Sequence, residues 1–281
     1  MQIGRVYTAP IKCKEDPPMK KLISGLLAAL LVLAMAGAAL SETRLDQIKA
    51  AGKLVVATSP DYAPYEFPGP DGKTIGADIK LAQYLADKLG VELVIDEYDF
   101  DGVLAAIGSG KVDLAIAGID PTEERKGSMD FSDSYYNENN QSLVVHKDNA
   151  GQYNTLKAMA GKLVAAQNGT VQESMVTKFL PESTLELVAK VPDGVMMVLS
   201  KKVDGMALAN VVAEQYVANY PELVICEEKF DYTSEGIAVA VVKDQPELLA
   251  AINEAIAEVV DQKLFFDWMA EAVEINNSMN N

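Results

Sequence analysis

Val112-Asp113-Leu114-Ala115-Ile116-Ala117-Gly118-Ile119-Asp120-Pro121-Thr122-Glu123-Glu124-Arg125 decides the fold. Leu114 to Ala117 is a short apolar run bounded by turn residues, which reads as a buried strand. Gly118 lets the backbone approach another group closely. Asp120, Pro121 and Glu123 read as the N-cap, the first-turn proline and the capping-box glutamate of a helix. A helix start with unpaired N–H groups favours an anion. Arg125, about one turn in, offers a two-pronged donor for a carboxylate. The spacing equally allows a surface ion pair with Glu123 or Glu124, and both readings stay open.

The same plan appears on either side. Leu54 to Ala57 and Val91 to Ile95 read as strands, and Ile79, Ala82, Leu85 and Leu89 mark a helix over 77–89 that Gly90 ends. Val103, Leu104 and Ile107 mark a shorter helix. Then the order restarts. Gly52-Lys53-Leu54-Val55 recurs as Gly161-Lys162-Leu163-Val164, and Lys111-Val112-Asp113 recurs as Lys202-Val203-Asp204. The separations are 59 residues (52 to 111) and 41 (161 to 202), so the copies differ in length. Strands alternating with helices in two matched rounds predict a two-lobed α/β protein with mostly parallel sheets.

Two polar, turn-prone stretches, 134–140 and 231–236, predict two crossings between the lobes. Lobe one is expected over 42–135 and 236–281 and lobe two over 140–230, with hinges at 136–139 and 231–235. Ile237 to Val242 reads as a returning strand. A helix from Pro246 to Val260 carries Leu249, Ile252, Ile256 and Val259 on one face, and a last helix carries Phe265, Phe266 and Trp268 toward the core. A cleft between hinged lobes suits a small ligand.

Lys and Arg total 24 against 41 Asp and Glu, a net charge of −17. That excludes nucleic acid and anionic membrane surfaces as partners, since both need a basic face. With one His and two Cys there is almost no material for His-based catalysis, a zinc cluster or a disulfide framework. His146 reads as a structural residue within a strand over 143–146. Met19-Lys20-Lys21 followed by an uncharged run over 22–40 reads as an export signal, with Ala36-Gly37-Ala38 as its cleavage site. A retained anchor is the alternative, since 19 apolar residues just span a bilayer. Residues 1–18 read as the product of a start upstream of Met19. No cysteine follows the run to carry a lipid. Cleavage after residue 38 removes five basic and two acidic residues, leaving 24 − 5 = 19 against 41 − 2 = 39, or −20. Cys226 then stands alone and reads as a small buried apolar residue.

Two further strand ends carry candidates. Gln167-Asn168-Gly169-Thr170-Val171-Gln172-Glu173 places Thr170 and Glu173 as a second capping box behind a glycine. Ser59-Pro60-Asp61-Tyr62-Ala63-Pro64-Tyr65-Glu66-Phe67 is a proline-punctuated loop with aromatics. Tyr62 and the loop aromatic Phe100 either sandwich a ligand's apolar part or pack in the core. No paired carboxylates at diagnostic spacing and no glycine-rich phosphate loop are present.

At these residues the chain resembles the bacterial extracellular solute-binding proteins, family 3, the polar-amino-acid receptors of ABC importers. The carrying segments are Ala63-Pro64-Tyr65-Glu66-Phe67, Gly76-Ala77-Asp78-Ile79, the run from Val112 through Thr122-Glu123-Glu124-Arg125-Lys126, and Asp130-Phe131-Ser132-Asp133-Ser134-Tyr135-Tyr136. The resemblance covers 42–275. It implies a type II periplasmic-binding-protein fold whose lobes close on one amino acid. It implies that Arg125 grips the ligand's α-carboxylate with backbone N–H groups at Asp120 and Thr170, beside Gly169. It further implies that the Gly118 carbonyl takes the α-ammonium, that Tyr62 and Phe100 flank the side chain, and that Ser59 lies near its tip. The family usually carries a carboxylate for the ammonium where this chain has Ala209, followed by Asn210. Asp120 either supplies that charge from the other lobe or only caps its helix. If it only caps, the ligand lacks an ordinary α-ammonium.

The expected function is therefore a periplasmic or secreted, monomeric solute receptor. It needs no cofactor and delivers a polar amino acid to a membrane permease. Asp61, Asp99, Asp101 and Asp120 incline the ligand toward a cationic side chain. The rivals are a same-fold dehydratase of cyclic prephenate-like acids, which needs a general acid in the cleft, and a sensor module.

Overall fold

The computed structural model describes residues 42–137 and 140–280. The expected export segment at 1–38, and positions 138 and 139 of the first expected hinge, lie outside the described residues. In chain order the strands are β1 (Lys53–Thr58), β2 (Phe67–Pro68), β3 (Thr74–Ile75), β4 (Glu92–Glu97), β5 (Leu114–Ala115) and β6 (Met129–Tyr136). They continue as β7 (Gln141–His146), β8 (Leu163–Gln167), β9 (Thr184–Val188), β10 (Gly205–Ala209), β11 (Leu223–Ile225) and β12 (Ile237–Val242). Apart from the β2-β3 hairpin they form two five-stranded sheets, ordered β4-β1-β5-β12-β6 and β11-β7-β10-β8-β9. The chain leaves the first sheet after Tyr136 and re-enters it at Ile237.

Each sheet is mixed rather than mostly parallel. β4, β1 and β5 run parallel, while β12 runs against β5 and β6. In the second sheet β9, β8 and β10 run parallel, while β7 runs against β10 and β11. The cause is the crossing itself. β7 and β12 each arrive from the other lobe and enter at the cleft end, where the parallel strands finish, so they must run the opposite way.

The internal repeat has a structural meaning. Asp113 exchanges bonds with Val55: its N–H donates to the Val55 carbonyl (2.9 Å), and its carboxylate accepts the Val55 N–H (2.8 Å). Asp204 does the same with Leu163, at 2.7 and 3.0 Å. Each Lys-Val-Asp turn thus starts a strand and pins it to the first strand of its own lobe.

The helices cover the sheets with their apolar faces. The helix Ala77–Leu89 buries Leu81 and Leu85 completely and ends at Gly90, whose φ of 72° closes the last turn. Truncating either leucine to alanine costs about 2–5 kcal/mol. The helix Pro246–Asp261 buries Leu248, Ile252, Ala255, Ile256 and Val259, with Leu249 only half-buried beside them. The aromatic trio of the last helix, Leu264–Asn280, divides: Phe265 is 1% exposed, whereas Phe266 is 59% exposed and meets the Tyr136 ring edge-on. Phe100 stands not in a loop but as the first residue of the helix Phe100–Gly108. Cys226 is buried, with Sγ donating to the Tyr153 carbonyl.

Candidate functional site

The cleft ends of β1, β5, β8 and β10 meet around one enclosed space between the sheets. β1 runs into the loop that brings Ser59, Asp61, Tyr62, Tyr65 and Glu66 to its wall. β5 runs into Ala117, Gly118 and Asp120, followed by Arg125. From the other side come Gln141, Gln167, Thr170, Val171, Gln172 and Ala209. The space left open is about 30 Å³, room for one water rather than an amino acid, so the lobes stand closed upon each other. Of the nine residues singled out in the sequence, eight line this space: Ser59, Tyr62, Phe100, Gly118, Asp120, Arg125, Thr170 and Ala209. The ninth, Gly169, touches Arg125 through its carbonyl.

Arg125 is buried at 9% exposure. Its Nη1 donates to the Asp120 carbonyl and its Nη2 to the Gly169 carbonyl of the opposite lobe, each at 2.9 Å. The guanidinium lies over the Phe100 ring, 5.4 Å from its centroid, where the π face favours a cation. The alternative surface pairing does not form, since Glu123 pairs with Lys126 at 2.8 Å. Among the described residues no carboxylate oxygen lies within 4.0 Å of the guanidinium. Burial lowers its pKa and the nearby Asp120 raises it. A guanidinium remains charged through such a shift. The cation is therefore taken out of water in contact with dipoles and a ring, with the Asp120 carboxylate near but beyond 4.0 Å.

The cap read at Asp120, Pro121 and Glu123 is corrected. The helix Glu123–Lys126 starts two residues later, with Thr122 as N-cap accepting the Arg125 N–H at 3.4 Å. Asp120 is instead drawn to the second crossing segment: its Oδ1 accepts from the hydroxyls of Ser234 (2.5 Å) and Tyr232 (3.2 Å). Burial raises its pKa, against Ser234, Arg125 and Tyr232. The second cap is half as expected. Thr170 accepts the Glu173 N–H, but the Glu173 carboxylate reaches past it to the Gly169 N–H at 2.8 Å.

Gly118 has φ +56°, a conformation that L side chains rarely adopt, and it packs against the Tyr62 ring. Its N–H donates to Asp78 Oδ2 at 2.8 Å. Tyr62 stacks on Tyr65, centroids 5.7 Å apart. Asp61 reaches across to the second lobe. Its Oδ2 accepts from Gln167 Nε2 (2.9 Å) and from the N–H of Val191 (2.8 Å), the first residue of the helix Val191–Leu199. Ser59 donates to its Oδ1 at 2.9 Å. A helix start suits this anion, although burial still raises the Asp61 pKa. Asp99 and Asp101 stand outside the lining and bridge the lobes, to Lys190 at 3.8 Å and to Asn168 at 2.7 Å. The second lobe gives no carboxylate to the lining: Ala209 is buried at its wall, and the Asn210 side chain turns away to Ser142, Glu214 and Lys229.

Glu66 and Asp78 carry the feature that sequence reasoning missed. Both are wholly buried, and both stood inside quoted segments without a role. The signal was available as an acid between Tyr65 and Phe67, where apolar neighbours on both sides mark an enclosed carboxyl.

The geometry agrees with what known proteins of similar sequence are. The sequence profile of the bacterial extracellular solute-binding proteins, family 3, matches residues 54–268. The arginine-binding extracellular protein ArtP of Bacillus subtilis is 34% identical over 248 residues, 86% of this chain and 94% of that one. An amino acid ABC transporter substrate-binding protein from Streptococcus pneumoniae, solved bound to L-arginine, superposes with a TM-score of 0.79 at 38% identity, over 83% of this chain and 98% of that one. The ancestral amino acid-binding protein AncCDT-1, a precursor of cyclohexadienyl dehydratase, follows at 0.73 and 32%, over 80% and 99%. These relatives are named as binding proteins rather than enzymes. With its two sheets closed on a polar, acid-rich space, this chain belongs to the bacterial extracellular solute-binding proteins, family 3.

Proposed function

We propose that the inter-lobe space receives an L-amino acid with a cationic side chain, arginine foremost, and that closure on it prepares delivery to the permease of an ABC importer. The observation that carries the reading is Arg125, a buried guanidinium in the lining with no carboxylate of the described residues within 4.0 Å. An α-carboxylate supplies one, with the N–H groups at the Asp120 turn and at Thr170 beside it. The Gly118 carbonyl and the Asp120 carboxylate face the α-ammonium, taking the place of the acid absent at Ala209. Tyr62 and Phe100 flank the side chain, and Ser59 lies near its tip.

Charge then selects among amino acids. Asp61 and Asp120 line the space against Arg125 alone. A zwitterion leaves that excess of acid uncompensated, and a second cation on the side chain offsets it. Names of relatives point the same way, since one is called arginine-binding and another was solved with L-arginine. Closure follows from contacts made by both lobes to one ligand, which favour the closed form by their differential affinity. The receptor works as a monomer and is exported by the segment at 1–38.

Thermal melting against the standard amino acids, with ornithine and citrulline added, tests the reading. A ligand at about one hundred times its Kd stabilises the folded state by about 2.7 kcal/mol. Arginine is expected to raise Tm by several degrees, and glutamate and leucine are not. A larger shift with an acidic or aliphatic amino acid overturns the assignment.

A further inference from the structure

Glu66 sits in the loop after β1, where its backbone bridges Tyr62. Its side chain is fully enclosed and lines the space between the lobes. Among the described residues no N–H or O–H reaches either carboxyl oxygen. Its neighbour is Asp78, from the helix Ala77–Leu89, and Asp78 has taken the available donors: the Gly118 N–H at 2.8 Å and the Tyr135 hydroxyl at 2.9 Å. Two carboxyls side by side can form a hydrogen bond only through a proton of their own. The two donors on Asp78 favour its anion, so that proton belongs on Glu66.

We propose that Glu66 holds a proton in the ligand-free site and releases it to solvent when a cationic side chain arrives, so that taking up arginine expels a proton while taking up its neutral isostere citrulline does not. The proposal rests on the cationic-ligand reading above. On release the Glu66 O–H bond breaks, the electron pair stays on the carboxylate oxygen, and the proton passes to buffer. The groups facing Glu66 are Asp61 from its own loop, Asp78 from the helix Ala77–Leu89, and Tyr135 from β6, whose hydroxyl is engaged with Asp78. Tyr65 and Tyr62 belong to the same loop, and Asp120 and Arg125 lie along the wall of the same space. Burial first, then the charges of Asp78 and Asp61, push Glu66 well above the ordinary carboxylate range. Burial pushes Asp78 up to about 6, against the bonds from Gly118, Tyr135 and Glu66.

The arrangement makes Glu66 a specificity device. While it is protonated the site presents a neutral acid, and only a positive charge brought against it makes ionisation favourable. Arginine affinity then rises with pH while the ligand-free Glu66 is still protonated, by at most about tenfold per pH unit, and levels off above its titration. Citrulline affinity stays flat over that range.

Isothermal titration of the full chain at pH 7 in phosphate and in Tris reads the proton directly, because the two buffers differ in heat of ionisation. The expected result is release approaching one proton with L-arginine and near zero with L-citrulline. In Glu66→Gln, whose amide keeps a donor toward Asp78, release with arginine is lost, arginine affinity falls and its pH dependence flattens. Arginine binding with no buffer dependence, or unchanged release in Glu66→Gln, overturns the proposal and leaves the assignment of arginine intact. Failure of arginine and of every other cationic amino acid to bind removes both. Should Glu66→Gln not fold, the wild-type pair decides, since equal proton counts for arginine and citrulline contradict the proposal.

Discussion

The first lobe sets Asp61, Glu66, Asp120 and Arg125 against the enclosed space, whereas the second sets Gln141, Gln167, Thr170, Val171, Gln172 and Ala209 there. The lobes share a strand plan and even the Asp turn that pins it. They do not share charge. The difference assigns separate tasks. A charged wall fixes a ligand's ends through long-range interactions that act before closure. A wall of amides, a hydroxyl and a helix start adds short-range bonds that count only once the lobes meet. Most ligand discrimination should then lie with the first lobe, and the second should tune how readily the protein shuts.

Arg125→Ala is the largest blow to that asymmetry. Removing a buried charge partner is expected to weaken binding by about 2–5 kcal/mol, and calorimetric Kd values check it; unaltered affinity would strip the first lobe of its main anchor. The next effect concerns stability without ligand. Glu66 and Asp78 keep native pKa values above their unfolded ones, so the unfolded chain loses its protons first as pH rises. Their contribution is complete below the unfolded values and is lost as pH climbs, through about 6 for Asp78 and further for Glu66. Glu66→Gln should therefore gain on wild type as pH rises from 5 to 8 in melting or urea experiments. A gap that does not widen with pH would mean that Glu66 ionises freely.

Asp120→Asn keeps the acceptor for Ser234 and Tyr232 but removes the charge. It should weaken an amino acid by about 1.5–3 kcal/mol, the range for hydrogen bonds to charged groups. Equal affinity would leave Asp120 as a brace for the second crossing alone. The smallest effects are expected across the cleft. Thr170→Ala and Gln172→Ala each remove a neutral hydrogen-bonding group and should cost about 0.5–1.5 kcal/mol. If either approached the loss from Arg125→Ala, the division of labour between the lobes would be wrong.

The sequence was most legible where local chemistry forces the outcome. The strand read over 114–117 is shorter, Leu114–Ala115, but it still leads into Gly118 and Asp120, and the loop 59–67 follows β1, so these residues come together at one space. The matched Lys-Val-Asp turns were readable because each has the same backbone task. Pairings over long distances were not. Asp120 looked like a cap because its spacing to Pro121 and Glu123 is local, while its hydroxyl partners, Ser234 and Tyr232, lie more than a hundred residues away and come from the returning crossing. The mixed sheets escaped for a related reason, since alternation of strand and helix says nothing about the end from which a crossing strand enters. Gln141 and Gln172, bonded to each other at 2.8 Å, have no local signature. Phe266 reads as core beside Phe265 and Trp268 although it is mostly exposed, with one ring contact to Tyr136.

Agmatine, which is arginine without its carboxylate, gives the most direct test of the first lobe as the ligand's anchor. Titrated beside L-arginine under identical conditions, it keeps the side-chain cation and loses the group assigned to Arg125. The expected outcome is tight arginine binding with agmatine weaker by at least about thirtyfold. Agmatine binding as tightly as arginine would contradict the account, because the buried guanidinium would then have no part in holding the ligand.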